Sequence, residues 1–409
     1  MDIRDEALKL HKEYQGKLEV AAKMPLTNMH DLSLIYTPGV AEPCKEIELN
    51  PELSFEYTCR GNMIAVVTDG TRVLGLGDIG PEAAMPVMEG KCALFKAFGD
   101  VDAVPICLGT KDPAKIIETV KLLEPNFAGI NLEDLSSPKC YDIEDELKKQ
   151  MTIPVFHDDQ HGTAIAALSG VLGALRFVNK EIANVKIVVN GAGAAGTAIG
   201  RLLLYAGAQD VTMVDLNGAL YDGMAGLDRV QADLAKNTNK AKKQGNLAEI
   251  AQGADVLVGV SAPGVFTKEI IRSMANDAVV IAMANPVPET YYADAKAAGA
   301  RVAGTGRSDA PNQVNNSSVF PGLFRGALDV RARQITYDMM VAAAQAIANI
   351  IPDEELREDY VVPDVFNPAV APAVARAVAQ VAMETGVARI KVDPEVIQKQ
   401  TAARVKLRS

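Results

Sequence analysis

The chain is short of cysteine, of histidine, of basic charge and of long apolar runs, and each shortage excludes something. Its five cysteines (Cys44, Cys59, Cys92, Cys107 and Cys140) are odd in number and scattered, and contain no CxxC. A disulfide-stapled secreted scaffold is therefore excluded, and buried thiols in a reducing compartment are expected. Its four histidines (His11, His30, His157 and His161) form no HExxH or His–Cys pattern, which removes a zinc site. Acidic residues outnumber basic ones, 52 to 41, for a net charge of −11. A nucleic-acid or anionic-membrane partner needs a basic field, so neither is expected. An anionic small molecule would have to be met by locally placed cations or a metal. The longest apolar stretch, Ala164 to Val178, contains Ser169 and Arg176 and is too short to span a bilayer. The opening MDIRDEALKLHKEY is a charged helical pattern without the apolar core of a signal peptide. A cytoplasmic location is expected.

What is present is the pattern of an α/β protein. With 409 residues there is room for two or three domains with buried cores. Residues 1–23 read as a polar helix. Apolar runs then alternate with helical segments: IAVV (64–67), VDAVPICL (101–108), FAGINL (127–132) and IPVF (153–156). A long apolar helix is expected over 161–179. A second series of β-branched runs follows, VKIVV (185–189), VTMV (211–214), DVLVGV (255–260), VVIAMA (279–284) and RVAGT (301–305). Helix-length spacers separate them, as parallel βαβ units require. Beyond about 316 the sequence is helical again, broken at Pro352, Pro363 and Pro368, with a buried alanine-rich helix ending at Gly386. Polar and glycine-rich clusters repeatedly follow the apolar runs. Ligands of open parallel sheets bind outside the carboxyl ends of the strands, so one cleft fed by both halves is expected.

Asn190-Gly191-Ala192-Gly193-Ala194-Ala195-Gly196 follows one such run and opens a helix with GxGxxG spacing. The first glycine permits the tight turn, the second the approach of a pyrophosphate, the third close helix–strand packing. The pyrophosphate would lie on the helix N-terminus. Asp215 ends the next run, 24 residues after Gly191, where a carboxylate can take the ribose hydroxyls. It favours NAD over NADP by repelling a 2′-phosphate, while Lys240, Lys242 and Lys243 downstream either offset it or form a solvated face. Ser261, in the SAPG turn, and Asn285 are further candidates for cofactor contacts.

Glu133 and Asp134 end one run, Asp158 and Asp159 another. Carboxylates at adjacent strand ends repel unless a cation neutralises them, and an all-oxygen set suits Mg²⁺ or Mn²⁺. The alternative is a set of helix caps and surface acids. Lys91, on the otherwise apolar MEGKCALFKAFG, is either a base or a lysine that snorkels to water. Tyr36, in LIYTPGVAEPC, is a packing residue or an acid. Arg72, in TDGTRVLGLGD, is a carboxylate clamp or an exposed loop cation.

Together these segments resemble the malic enzymes, in their short bacterial form. The matching stretches are SLIYTPGVAEPC, TDGTRVLGLGDIG, EGKCALFKAFG, GINLEDL, FHDDQHGTA, NGAGAAG, MANPVPE and TGRSDAPNQVNNSSVFPG, in family order from near 33 to near 330. The resemblance implies a metal held by Glu133, Asp134 and Asp159, a catalytic lysine, Lys91, oriented by Asp158, and Tyr36 as general acid. It implies substrate carboxylates held by Arg72, Asn285 and Asn316. It implies a substrate and metal domain over 1–158, a Rossmann-type doubly wound domain over 159–315, and a helical return to the first domain over 316–409. The implied reaction is NAD- or NADP-dependent oxidative decarboxylation of L-malate in a homodimer or higher homo-oligomer, with active sites open to sharing between subunits. A malolactic conversion of malate to lactate would use the same residues. An amino-acid dehydrogenase would need no metal acids, and a non-catalytic dinucleotide-binding module would need no catalytic set.

Overall fold

The computed structural model describes residues 3–406. Two parallel sheets organise them. The first contains β1 (Met63–Thr68), β2 (Asp102–Cys107), β3 (Gly129–Leu132) and β4 (Val155–His157), in the order β2-β1-β3-β4. The second contains β5 (Lys186–Asn190), β6 (Asp210–Asp215), β7 (Gly218–Ala219), β8 (Val256–Gly259), β9 (Val279–Ala282) and β10 (Val302–Thr305), in the order β10-β9-β8-β5-β6-β7. Every pairing is parallel except β6 with β7, a short hairpin the sequence does not announce. The apolar runs fall on the other nine strands because strands covered on both faces read as continuous hydrophobic segments.

Each sheet reverses its strand order once, and the reversals place the loops. In the first sheet the chain moves outward from β1 to β2, then returns to the other side of β1 for β3 and β4. In the second it moves from β5 to β6, then returns for β8, β9 and β10. A crevice opens at each such point, between the loops after β1 and β3 and between those after β5 and β8. The chain passes from β4 through a π-helical turn, Asp158–Gly162, into the buried helix Thr163–Phe177. After β10 the helix Phe320–Asp329 packs back onto the first sheet. Phe320 and Phe324 stack on Phe95 at 4.5 and 5.3 Å, and Phe324 meets Phe156 at 5.8 Å. All four rings are fully buried. At about 1.5–3 kcal/mol per buried aromatic side chain, this cluster fixes the returning helix against β4 and the Pro81–Gly99 helix.

Two expectations need correction. The polar helix expected over 1–23 ends at Tyr14, because Gln15 and Gly16 turn into positive φ (53° and 112°); residues 1 and 2 lie outside the described residues. The cysteines are all free, but Cys44 and Cys59 are exposed rather than buried. The N-terminal helices Ile3–Tyr14, Met29–Ile35 and Ala41–Leu49 contain no buried residue at all. No helix among the described residues is long and apolar enough to cross a membrane.

Candidate active site

The loops from both reversal points line one cleft of about 410 Å³. It gathers Arg72, Lys91, Glu133, Asp134, Asp159, Gly193, Ala194, Ala195, Gly196, Ser261, Asn285 and Asn316. A wider groove of about 1110 Å³ collects none of the candidates, and its cations Arg176 and Lys180 are paired with Asp353 and Asp255.

Lys91 reaches into the cleft from the Pro81–Gly99 helix and is not snorkelling. Its ammonium is buried 2.6 Å from Asp158 Oδ2 and 2.9 Å from Glu133 Oε1, and lies 4.4 Å from the centre of the Phe320 ring. Burial pushes the Lys91 amine down, but Asp158 and Glu133 outweigh it and hold the group above the usual lysine range. Asp158, fully buried on the π-turn, also accepts from Asn316 Nδ2 at 2.5 Å. The returning chain thus contributes directly to holding the Lys91–Asp158 pair.

Glu133, Asp134 and Asp159 offer carboxylate oxygens that all lie within 4.8 Å of one another. Burial, and then the neighbouring acids, push the carboxyl of Asp134 above the ordinary range; burial does the same to Glu133 and Asp159 against the pull of Lys91. Asp134 Oδ2 is buried with no hydrogen-bond partner. Asp134 itself sits at φ 54°, a conformation rare outside glycine, and its amide donates to Asp159 Oδ2 at 2.7 Å. Neither the Asp158 turn nor the helix after it has a side-chain cap, so the helix-cap alternative does not hold there. Converging, mutually repelling acids with an unsatisfied buried oxygen fit a hard divalent cation.

On the opposite wall, Gly191 takes φ 113°, and a Cβ at Gly196 would lie 1.7 Å from Gly191 O, so the turn requires both glycines. A Cβ at Gly193 would meet nothing within 4 Å, which leaves its backbone open toward the cleft. Gly191 N donates to Val214 O at 2.8 Å, bringing Asp215 beside the glycine loop. The lysine segment runs alongside β6: Asn239 N donates to Val211 O at 2.8 Å, Lys242 pairs with Asp222, and Gly245 O accepts from Ala219 N at 2.9 Å, next to the Gly218 that pairs with Asp215.

Tyr36 is not brought into this cleft. It caps the Met29–Ile35 helix, is 66% exposed, and is not among the lining residues. Arg72 is exposed but lies at the cleft, where it lowers the Asp159 carboxyl. Sequence reasoning missed three supporting residues. Buried Asn131 donates to Glu133 Oε2 at 2.8 Å. Buried Glu144 accepts from Gln160 Nε2 at 2.9 Å, contacts His161 Nε2 at 2.8 Å and pairs with Lys148 at 2.6 Å, anchoring the turn that carries Asp158 and Asp159. Glu144 was detectable, because it shares a helical face with buried Cys140, Ile143 and Leu147. The third is Glu289, for which spacing gave no signal.

A doubly wound dinucleotide fold joined to a second α/β domain, with an acid cluster and a buried lysine lining the cleft, defines a nicotinamide-dependent oxidoreductase. The malic enzyme N-terminal domain matches residues 15–116 and the malic enzyme NAD binding domain matches 160–383. A bifunctional malic/malolactic enzyme from Bacillus subtilis is 57% identical, with 98% of each chain covered. An NAD-dependent malic enzyme from Geobacillus stearothermophilus is 49% identical over 95% of this chain and 81% of its own. The crystal structure of malic enzyme from Pyrococcus horikoshii superposes with a TM-score of 0.95 at 48% identity, covering 99% of this chain and 96% of its own. The chain belongs to the malic enzyme family.

Proposed function

We propose that this enzyme oxidatively decarboxylates L-malate to pyruvate and CO₂ with NAD as the preferred acceptor, using Mg²⁺ or Mn²⁺ bound by Glu133, Asp134 and Asp159. The observation that carries the reading is Lys91, buried between Asp158 and a member of the acid cluster, on the rim of the cleft that the glycine loop enters. Lys91, in its neutral form, takes the proton of the C2 hydroxyl; bound NAD would supply the acceptor for the C2 hydride. Asp158, itself braced by Asn316, keeps the amine aimed. Glu133 is shared between Lys91 and the acids that would hold the metal. A divalent metal held by Glu133, Asp134 and Asp159 would supply Lewis-acid polarisation of the C2 oxygen. The β-keto acid then loses its C4 carboxyl as CO₂, and Tyr36 delivers a proton to C3. Arg72, Asn285 and Asn316 hold the two carboxylates, and Arg72 supplies the local cation that an acidic protein needs for a dianion. Asp215, held beside the glycine loop by the Gly191 N to Val214 O bond, supports NAD over NADP.

The unburied N-terminal helices, and the exposure of Tyr36 outside the lining of its own cleft, support a homodimer in which Tyr36 serves the partner's site. An aqueous, cytoplasmic setting without a nucleic-acid or membrane partner accords with the charge. A malolactic conversion is the second reading, favoured by the name of the Bacillus subtilis relative. Incubation with L-malate, Mn²⁺ and NAD or NADP separates the two. Equimolar pyruvate and NADH, abolished by a chelator, is the expected result; lactate without net NADH would select the malolactic reading.

A further inference from the structure

Glu289 is a fully buried carboxylate that the proposed chemistry does not use. It lies where the loops after β8 and β9 meet. Its Oε1 accepts from Ser261 N at 2.6 Å and from Ser261 Oγ at 3.3 Å, and its Oε2 accepts from Ala284 N at 3.0 Å. Its own carbonyl accepts from Phe266 N at 3.1 Å, which holds the Glu289 backbone against the β8 loop. Asn190, at the end of β5, donates to Ser261 Oγ at 2.7 Å and extends the network to the strand that carries the glycine loop. The protein makes room for this carboxylate: a Cβ at Gly259 would lie 2.5 Å from Glu289 Cδ.

We infer that Glu289 is a positioning residue that fixes Ser261 and Asn285 relative to one another, and so sets the nicotinamide against the substrate's C2. The inference rests on the reading above in which Ser261 and Asn285 face the cofactor and substrate. A carboxylate is required because two backbone donors from different loops converge on it, and each of its oxygens takes one. Glutamine would present an amide N–H₂ to one of these donors and release that loop. Aspartate would be one methylene too short to span them.

The test is Glu289→Gln beside Gly259→Ala, the second displacing the carboxylate without removing its charge. Calorimetry with NAD alone should give a Kd raised about tenfold or more in Glu289→Gln, the scale of one unsatisfied buried donor. Mn²⁺ affinity, read by paramagnetic resonance, should stay at the wild-type value, because no Glu289 contact reaches Glu133, Asp134 or Asp159. With C2-deuterated malate, both variants should show a larger isotope effect on kcat/KM than wild type, since hydride transfer from a loosened nicotinamide becomes more rate-limiting. A merely structural defect would lower kcat through a smaller active fraction and leave the isotope effect unchanged. If Glu289→Gln does not fold, Gly259→Ala carries the isotope test alone. Wild-type NAD affinity and isotope effect in the variants that fold would overturn the inference. Failure of the wild-type enzyme to oxidise malate would instead sink the functional reading, and the NAD calorimetry would still decide the role of Glu289.

Discussion

The base and metal side of the cleft and the segment that carries Tyr36 belong to one chain but are built on opposite terms. Lys91, Glu133, Asp134 and Asp158 are buried, each held by at least one named hydrogen bond or ion pair. Tyr36 lies on a helix without a buried residue, in a segment whose apolar side chains, Leu34 and Leu49 among them, face outward. Burial raises charged groups in energy unless they are paired, so the first region gains its chemistry from exclusion of water. The second has apolar surface that a monomer leaves wet, which is the signature of a face made to be covered. One region is complete within the chain, and the other is the face that the proposed homodimer would cover with a second copy.

The strongest way to break this contrast is to remove the cation from the buried side. Chelation should abolish turnover, and Asp159→Asn should raise the apparent Kd for Mn²⁺ by at least about 10²-fold while impairing both chemical steps. Unchanged metal dependence in that variant would leave the acid cluster without its assigned role. Lys91→Met should reduce kcat by up to about 10⁴-fold. Tyr36→Phe should cost about 10² to 10⁴ with thermal stability unchanged, because the exposed side chain supports nothing in its own chain. Near-full turnover would remove Tyr36 from the mechanism.

Smaller effects sharpen the same contrast. Asp215→Ser should shift the ratio of kcat/KM values toward NADP by roughly tenfold, about 1.4 kcal/mol; no shift would mean another group reads the ribose. Glu144→Gln concerns stability. Burial pushes the Glu144 carboxyl up, but His161 and Lys148 outweigh it and hold it well below the usual range. A depressed carboxyl adds stability that is full above its unfolded pKa, about 4.3, and is lost as pH falls below that. The variant should therefore melt lower at pH 7, at a cost of about 1–3 kcal/mol, and the gap should close in acid. A gap that persists unchanged to low pH would show that packing, not charge, is what Glu144 provides.

Much of the fold was legible because doubly covered parallel strands announce themselves as apolar runs ending in polar loops. The runs at 64–67 and 185–189 fall on β1 and β5 to within a residue or two. The two-residue β7 carries too little pattern to read. The N-terminal helix was read too long because its polar sequence has no apolar stripe to mark where helix gives way to the turn at Gly16. For the site, strand-end position brought the acids to notice and an otherwise apolar helix brought Lys91, but pairing decides their state, and sequence spacing contains no distances. Glu144 escaped notice although its buried helical face was readable, whereas Glu289 gave no signal, because a lone glutamate in NPVPE looks like any surface acid. Nor does the sequence state that Tyr36 stands apart from the cleft that the same motifs define.

The direct test of that separation mixes two inactive variants. Tyr36→Phe and Lys91→Met are purified, combined under conditions that exchange subunits, and assayed with L-malate, Mn²⁺ and NAD. If Tyr36 serves the partner's site, each mixed dimer regains one intact site, and activity should return to about one quarter of wild type at equal mixing. A mixture that exchanges subunits yet stays inactive would place Tyr36 and Lys91 in the same chain's site and contradict the account.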